Sequence, residues 1–188
     1  MLRSKCCGVM NVRRVAVFSL LSVALLAGAC SSGDWRTASR EPAGIAPDPL
    51  QVEEAVLQVY GAPAYGWRGW FAVHTWIAAK RTHEPEYTVY EVIGWRKRRG
   101  LSVVRIARDH PDRYWFGERP ELLLSRRGEG VDELISAVDD AARAYPWADT
   151  YRAWPGPNSN TFTAWVAQQV PALNLELPFT AIGKGWLD

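Results

Sequence analysis

Two places in the chain combine residue types that can do chemistry. The first is His74, inside the apolar stretch Phe71-Ala-Val-His-Thr-Trp-Ile-Ala-Ala-Lys80. An imidazole there must find a hydrogen-bond partner or face a cleft. A lone histidine of this kind is more often a satisfied structural group. The second is Asn158-Ser159-Asn160, where a loop carrying Pro155, Gly156 and Pro157 runs into an apolar-periodic segment. Asn158 and Ser159 are both good N-caps, so the simplest reading is that they start a helix. The same geometry places a hydroxyl at the positive end of the helix dipole, beside amides able to hold an oxyanion. A serine activated by a histidine base is the chemistry of acyl transfer. Asn158 and Asn160 would either donate to the oxyanion or fix the loop.

These residues need a scaffold. Val52, Ala55, Val56 and Val59 recur at helical spacing after Asp48-Pro49, which predicts a short opening helix. Gly61 to Gly69 reads as a loop. Phe71–Lys80, Tyr87–Trp95 and Leu101–Ala107 read as strands, with a weaker one at Leu122–Ser125. Arg96-Lys97-Arg98-Arg99, bracketed by Gly94 and Gly100, reads as a solvated turn between strands. Val131, Leu134, Ile135, Val138 and Ala142 predict an amphipathic helix that stops at Tyr145-Pro146. A second helix is expected from about Asn160 to Val170, and Ala181-Ile182-Gly183-Lys184 is expected to dock on the body. The order implies an α+β domain, an antiparallel sheet with helices packed on one face.

The N-terminus says where the protein lives. Arg3, Lys5, Arg13 and Arg14 precede the apolar run Val15–Ala27, and Leu25-Leu26-Ala27-Gly28-Ala29-Cys30 closes it. This is a secretory signal pattern, too short for the ~20 residues of a membrane-spanning helix. Ending on Cys30, it resembles a bacterial lipoprotein signal, which implies a diacylated Cys30 as the mature N-terminus. Ser31 resembles the residue found there in outer-membrane lipoproteins. The expected organisation is a signal peptide over 1–29, a Gly/Ser/Pro tether over 30–48 and one domain over 49–188. Met10 is an alternative start to Met1.

Processing changes the charge. Removing four basic residues takes 22 Lys and Arg to 18, against 20 Asp and Glu, so the formal +2 becomes about −2. That balance argues for no nucleic-acid partner. Cys6 and Cys7 precede the apolar run, so the domain has no disulfide, thiolate metal site or cysteine nucleophile. His74, His83 and His110 lack metal-ligand spacing, and no metal or other cofactor is expected. The Gly183-Lys184 pair lacks the upstream glycine of a phosphate loop. The ten tryptophans are read mainly as core.

His74-Thr-Trp-Ile-Ala, Tyr90-Glu-Val-Ile-Gly-Trp95, Trp115-Phe-Gly, Trp154-Pro-Gly-Pro-Asn-Ser-Asn-Thr-Phe162 and Thr180-Ala-Ile-Gly-Lys184 resemble the proteobacterial family known as domain of unknown function 3750. That resemblance implies no activity. The order of a strand-borne His, a polar residue on the next strand and a helix-start nucleophile also resembles circularly permuted papain-like proteins. Those include NlpC-type, lecithin:retinol acyltransferase-like and PPPDE proteins. This second resemblance implies His74 as base, Ser159 in place of their catalytic Cys, and Glu91 or Tyr90 as the orienting group, Glu91 being preferred. A thiol can be drawn to thiolate by a histidine, whereas a serine needs a well-placed base in the transition state.

Two functions follow as expectations. One is a serine-type amide or ester hydrolase or acyltransferase of the cell envelope, with His74, Ser159 and Glu91 catalytic. The other is a non-catalytic envelope module binding peptidoglycan, lipid or a protein partner. Asn158, Asn160, Trp76 and Trp154 are the expected binding residues.

Overall fold

The computed structural model describes residues 34–187. The signal segment 1–29, Cys30 and the first residues of the expected tether lie outside the described residues. Five antiparallel strands form one sheet: β1 (Val56–Pro63), β2 (Val73–Lys80), β3 (Thr88–Val92), β4 (Val104–Arg108) and β5 (Glu121–Arg127), in spatial order β4-β3-β2-β1-β5. Two helices, α1 (Val131–Arg143) and α2 (Ser159–Gln169), complete an α+β domain.

The helix expected around Val52–Val59 does not form: residues 52–55 are irregular and the chain then enters β1. Its position explains the misreading. β1 lies between β2 and β5, pairing Val56 with Lys80 and Ala62 with His74 on one side, and Val56 with Arg127 on the other. Both faces are covered, so Val56, Leu57, Val59 and Tyr60 are all fully buried. A strand buried on two faces is an unbroken apolar run with no period of two to betray it.

Leu57 and Val59 of β1, Ile77 and Ala79 of β2, and Tyr90 and Val92 of β3 form one core with Ile135 and Val138 of α1 and Phe162 and Val166 of α2. Both helices therefore pack on the same face of the sheet. Leu134 of α1 is half-buried rather than core. On the opposite face Tyr60, Trp76, Ala78, Val89 and Trp115 form a second cluster, covered by loop residues Ile45, Val52 and Phe116. The stretch Ser39–Ala46, expected within the tether, lies along residues 112–117. Tyr114 N donates to Glu41 O, Ala43 N to Asp112 O, and the Ile45 and Ala46 amides to the Asp112 carboxylate.

The sheet is incomplete at one corner. β2 pairs with β3 only from Ile77 to Ala79. The first residues of β2 are held by other groups. Val73 N donates to Thr180 O of the C-terminal tail, and Val73 O accepts from Asn160 Nδ2 of α2. His74 is the second residue of β2, so it sits where the sheet has parted.

Candidate functional site

Alternation along β2 sends His74 to the face of Trp76 and Thr75 to the face of α2. The His74 ring stacks on Trp115 with centroids 3.7 Å apart and planes 7° from parallel. Its Nε2 lies 3.6 Å from Glu91 Oε2, just beyond hydrogen-bond distance, and has no hydrogen-bond partner among the described residues. Glu91 on β3 is fully buried. Arg113 Nη2 donates to both of its oxygens at 2.7 Å, and Arg105 Nη1 to Oε1 at 2.8 Å. Burial alone would raise the Glu91 carboxyl, but His74, Arg113 and Arg105 outweigh it and hold it at about 2. Burial pushes the His74 imidazole below its usual 6.5, against the upward pull of Glu91. At neutral pH a neutral imidazole therefore faces a carboxylate.

Tyr90, the alternative orienting group, points the other way, into the helix-side core. Arg105, Arg113 and Trp115 were not singled out from the sequence as site residues. The signal for the arginines was available: a glutamate in an apolar strand requires a buried cation, and Arg105 stands directly across the ladder from Glu91.

At the start of α2 the N-cap is Asn158, whose side-chain oxygen accepts from the Asn160 and Thr161 amides. Thr161 Oγ1 returns the bond by accepting from Asn158 N at 3.1 Å, closing a capping box. Asn158 Nδ2 donates to Ala153 O and Ile182 O. Asn160 Nδ2 donates to Val73 O and Ile182 O, and its Oδ1 accepts from Thr75. Both carboxamides are therefore engaged in fixing loop, strand and tail together. The tail docks as expected, and Gly183 is needed there. Its φ is +96°, and a Cβ on it would collide with the Asn158 carboxamide.

Ser159 is the first residue of the helix rather than its cap. Among the described residues its hydroxyl has no hydrogen-bond partner. Its backbone N–H is likewise free, whereas the Asn160, Thr161 and Phe162 amides all donate to Asn158. A free hydroxyl and a free amide thus share the positive end of the helix.

His74 and Ser159 line the same cavity, of about 970 Å³, at the parted corner of the sheet. They reach it from opposite faces of β2. Asn158 and Asn160 also line it, and Trp154, 77% exposed, stands at its mouth. Trp76 does not line it. That ring is fully buried behind His74, with Nε1 donating to Pro111 O at 2.7 Å. The cavity wall also carries aromatic and cationic side chains, including Trp67, Trp95, Arg68 and Lys97. Of the ten tryptophans, read mainly as core, only Trp76 and Trp115 are buried, and five are exposed. His83 and His110 are exposed in turns. Among the described residues no group of three His, Cys, Asp or Glu is placed to hold a metal ion.

Comparison with curated proteins gave no match, and comparison with solved structures gave none. A family model described as "Protein of unknown function (DUF3750)" matches residues 54–186. That span runs from just before β1 to the docked tail and includes His74, Glu91, Ser159 and Gly183. The chain belongs to this family.

Proposed function

We propose that the protein is a lipid-anchored serine-type acyl-transfer enzyme of the cell envelope, acting on an amide or ester. The observation that carries the reading is that His74, backed by the fully buried Glu91, lines the same cavity as Ser159 with its unbonded hydroxyl. With Nε2 toward Glu91, Nδ1 is the basic nitrogen. Ser159 Oγ attacks the substrate carbonyl while His74 takes its proton. The carbonyl oxygen gathers negative charge against the Ser159 N–H and the helix dipole. Glu91 stabilises the imidazolium, which then protonates the leaving amine or alcohol. Water, or a second acceptor, releases the acyl group from Ser159 by the same steps in reverse. A lowered imidazole pKa keeps the base unprotonated at neutral pH. The likeness in order to permuted papain-like proteins supports the same roles, with Ser159 where those carry Cys.

Hydrolysis of a chromogenic acyl ester by the full protein tests this. Ser159→Ala should abolish turnover, and His74→Gln should lower kcat by about 10²–10⁴-fold. Ser159→Cys should keep activity, since a thiol ionises more readily beside His74. Turnover unchanged in Ser159→Ala would overturn the reading.

A second reading has its own observation. His74 is clamped face-on by Trp115 and reaches the cavity from the sheet face opposite α2. That arrangement suits an aromatic binding pocket for peptidoglycan, lipid or a protein partner, without reaction. Ligand binding that survives Ser159→Ala, with no turnover by either protein, would favour it.

A further inference from the structure

Apart from Trp35 and Phe179, the exposed Trp and Phe residues are gathered. Trp67, Trp70 and Phe71 lie on or beside one 3-10 turn, Gly66–Trp70, with Trp70 84% exposed. Trp67, Phe71, Trp95 and Trp154 line the mouth of the same cavity. Arg68, Lys97 and Arg98 lie among them, and no Asp or Glu is among the described residues lining it. The rim is thus apolar, aromatic and net positive on a protein whose mature charge is slightly negative. Aromatic rings interleaved with cations match the boundary of a bilayer, where rings settle at headgroup depth and Lys or Arg meet anionic lipid.

The path of the chain adds a second, independent observation. The Arg40 guanidinium lies 4.4 Å from the Phe116 ring centroid, and Phe116 in turn contacts Tyr65 and Trp95 of the cavity wall. The N-terminal segment therefore joins the body beside this rim. The ten residues from Cys30 to Arg40 can span at most about 35 Å. A lipid on Cys30 would hold the rim, rather than the far side of the domain, near the membrane.

From this we infer that the aromatic and basic rim is a docking surface for an anionic bilayer, seating the cavity mouth on the lipid. The inference rests on the lipid anchor proposed above but not on catalysis. Docking adds a face-specific contact that the anchor alone would not create. Its cationic part weakens as salt rises.

The test uses the full lipidated protein in vesicles of brominated phosphatidylcholine, with or without phosphatidylglycerol. Wild type should show tryptophan quenching that is stronger with phosphatidylglycerol and falls with salt. The exposed pair W67A/W70A should lose most of that quenching, and K97E/R98E should lose its dependence on phosphatidylglycerol. Equal quenching in wild type and W67A/W70A, or quenching indifferent to both lipid charge and K97E/R98E, overturns the inference. So does retention of wild type by purified peptidoglycan sacculi through these residues without quenching in vesicles, which would assign the surface to the glycan. Protein that is acylated and floats with vesicles but shows no quenching sinks this inference alone. An intact mass lacking any acyl group on Cys30 sinks the anchor and the inference with it.

Discussion

His74 and Glu91 are both buried, and each resists protonation in the folded protein. That sets a pH dependence whose sign is fixed. The folded pKa of His74 lies below the unfolded value near 6.5, so unfolding takes up a proton between the two. Stability from this group is complete above pH 6.5 and falls as acid approaches the folded value. Glu91 drops from an unfolded 4.5 to about 2, so its contribution is complete above 4.5 and is lost on the way to 2. The melting temperature should therefore fall in two stages on acidification, and His74→Gln should flatten the first and shrink the second, because His74 is one of the groups that hold Glu91 down. A wild-type profile flat from pH 7 to 5 would contradict this. At this scale the sequence displayed the chemistry but not its neighbours. His74 stood out because it interrupts an apolar strand, whereas Glu91 entered only as the orienting group that the papain-like resemblance implies. The stacked Trp115 and the two arginines come from β4 and a later loop, and only the register of β3 against β4 and the path of residues 109–115 bring them there.

Helices and strands differ in how plainly they announce themselves. α1 was legible because one face meets solvent: Ile135 and Val138 are buried, while Asp139 is partly exposed and pairs with Arg143 at 2.7 Å. Ile135→Asp should cost several kcal/mol by burying an unpaired charge, whereas Asp139→Ala should cost about half a kcal/mol or less. Equal losses in melting temperature would mean that the wrong face has been placed inside. β1 was illegible for the opposite reason, having no solvent face at all. The start of α2 could be read as a helix N-terminus, but which residue caps it could not. Asn158 does so because tail and loop carbonyls take its amide hydrogens while its oxygen turns to the helix. Gly183 is the tail's part of that contact. Gly183→Ala should cost a few kcal/mol, from a strained positive φ and the collision with Asn158, and should displace Ser159. Activity loss well beyond the fraction unfolded is the expected signature, read by comparing turnover with circular dichroism.

As a whole molecule, the chain couples a proposed lipid anchor to a domain whose cavity opens through an aromatic rim. Cys30→Ala should yield unacylated precursor or released protein, checked by fractionation and intact mass. Membrane-bound, acylated Cys30→Ala protein would contradict the anchor, and recovery of wild type only from the inner membrane would contradict the outer-membrane location that Ser31 leads one to expect. The rim itself was hidden in the sequence, because tryptophan is ordinarily core material and composition does not say which rings find room inside. The gathering of residues 67, 68, 71, 95, 115 and 154 at one cavity depends on the parted corner between β2 and β3. The central claim is that Ser159 is a nucleophile served by His74. Treatment with a serine-reactive fluorophosphonate, followed by peptide mass mapping, tests it most directly. One adduct is expected, on Ser159, absent in Ser159→Ala and slowed by orders of magnitude in folded His74→Gln. No adduct on Ser159 in folded wild type, or labelling at the same rate without the His74 imidazole, would contradict it.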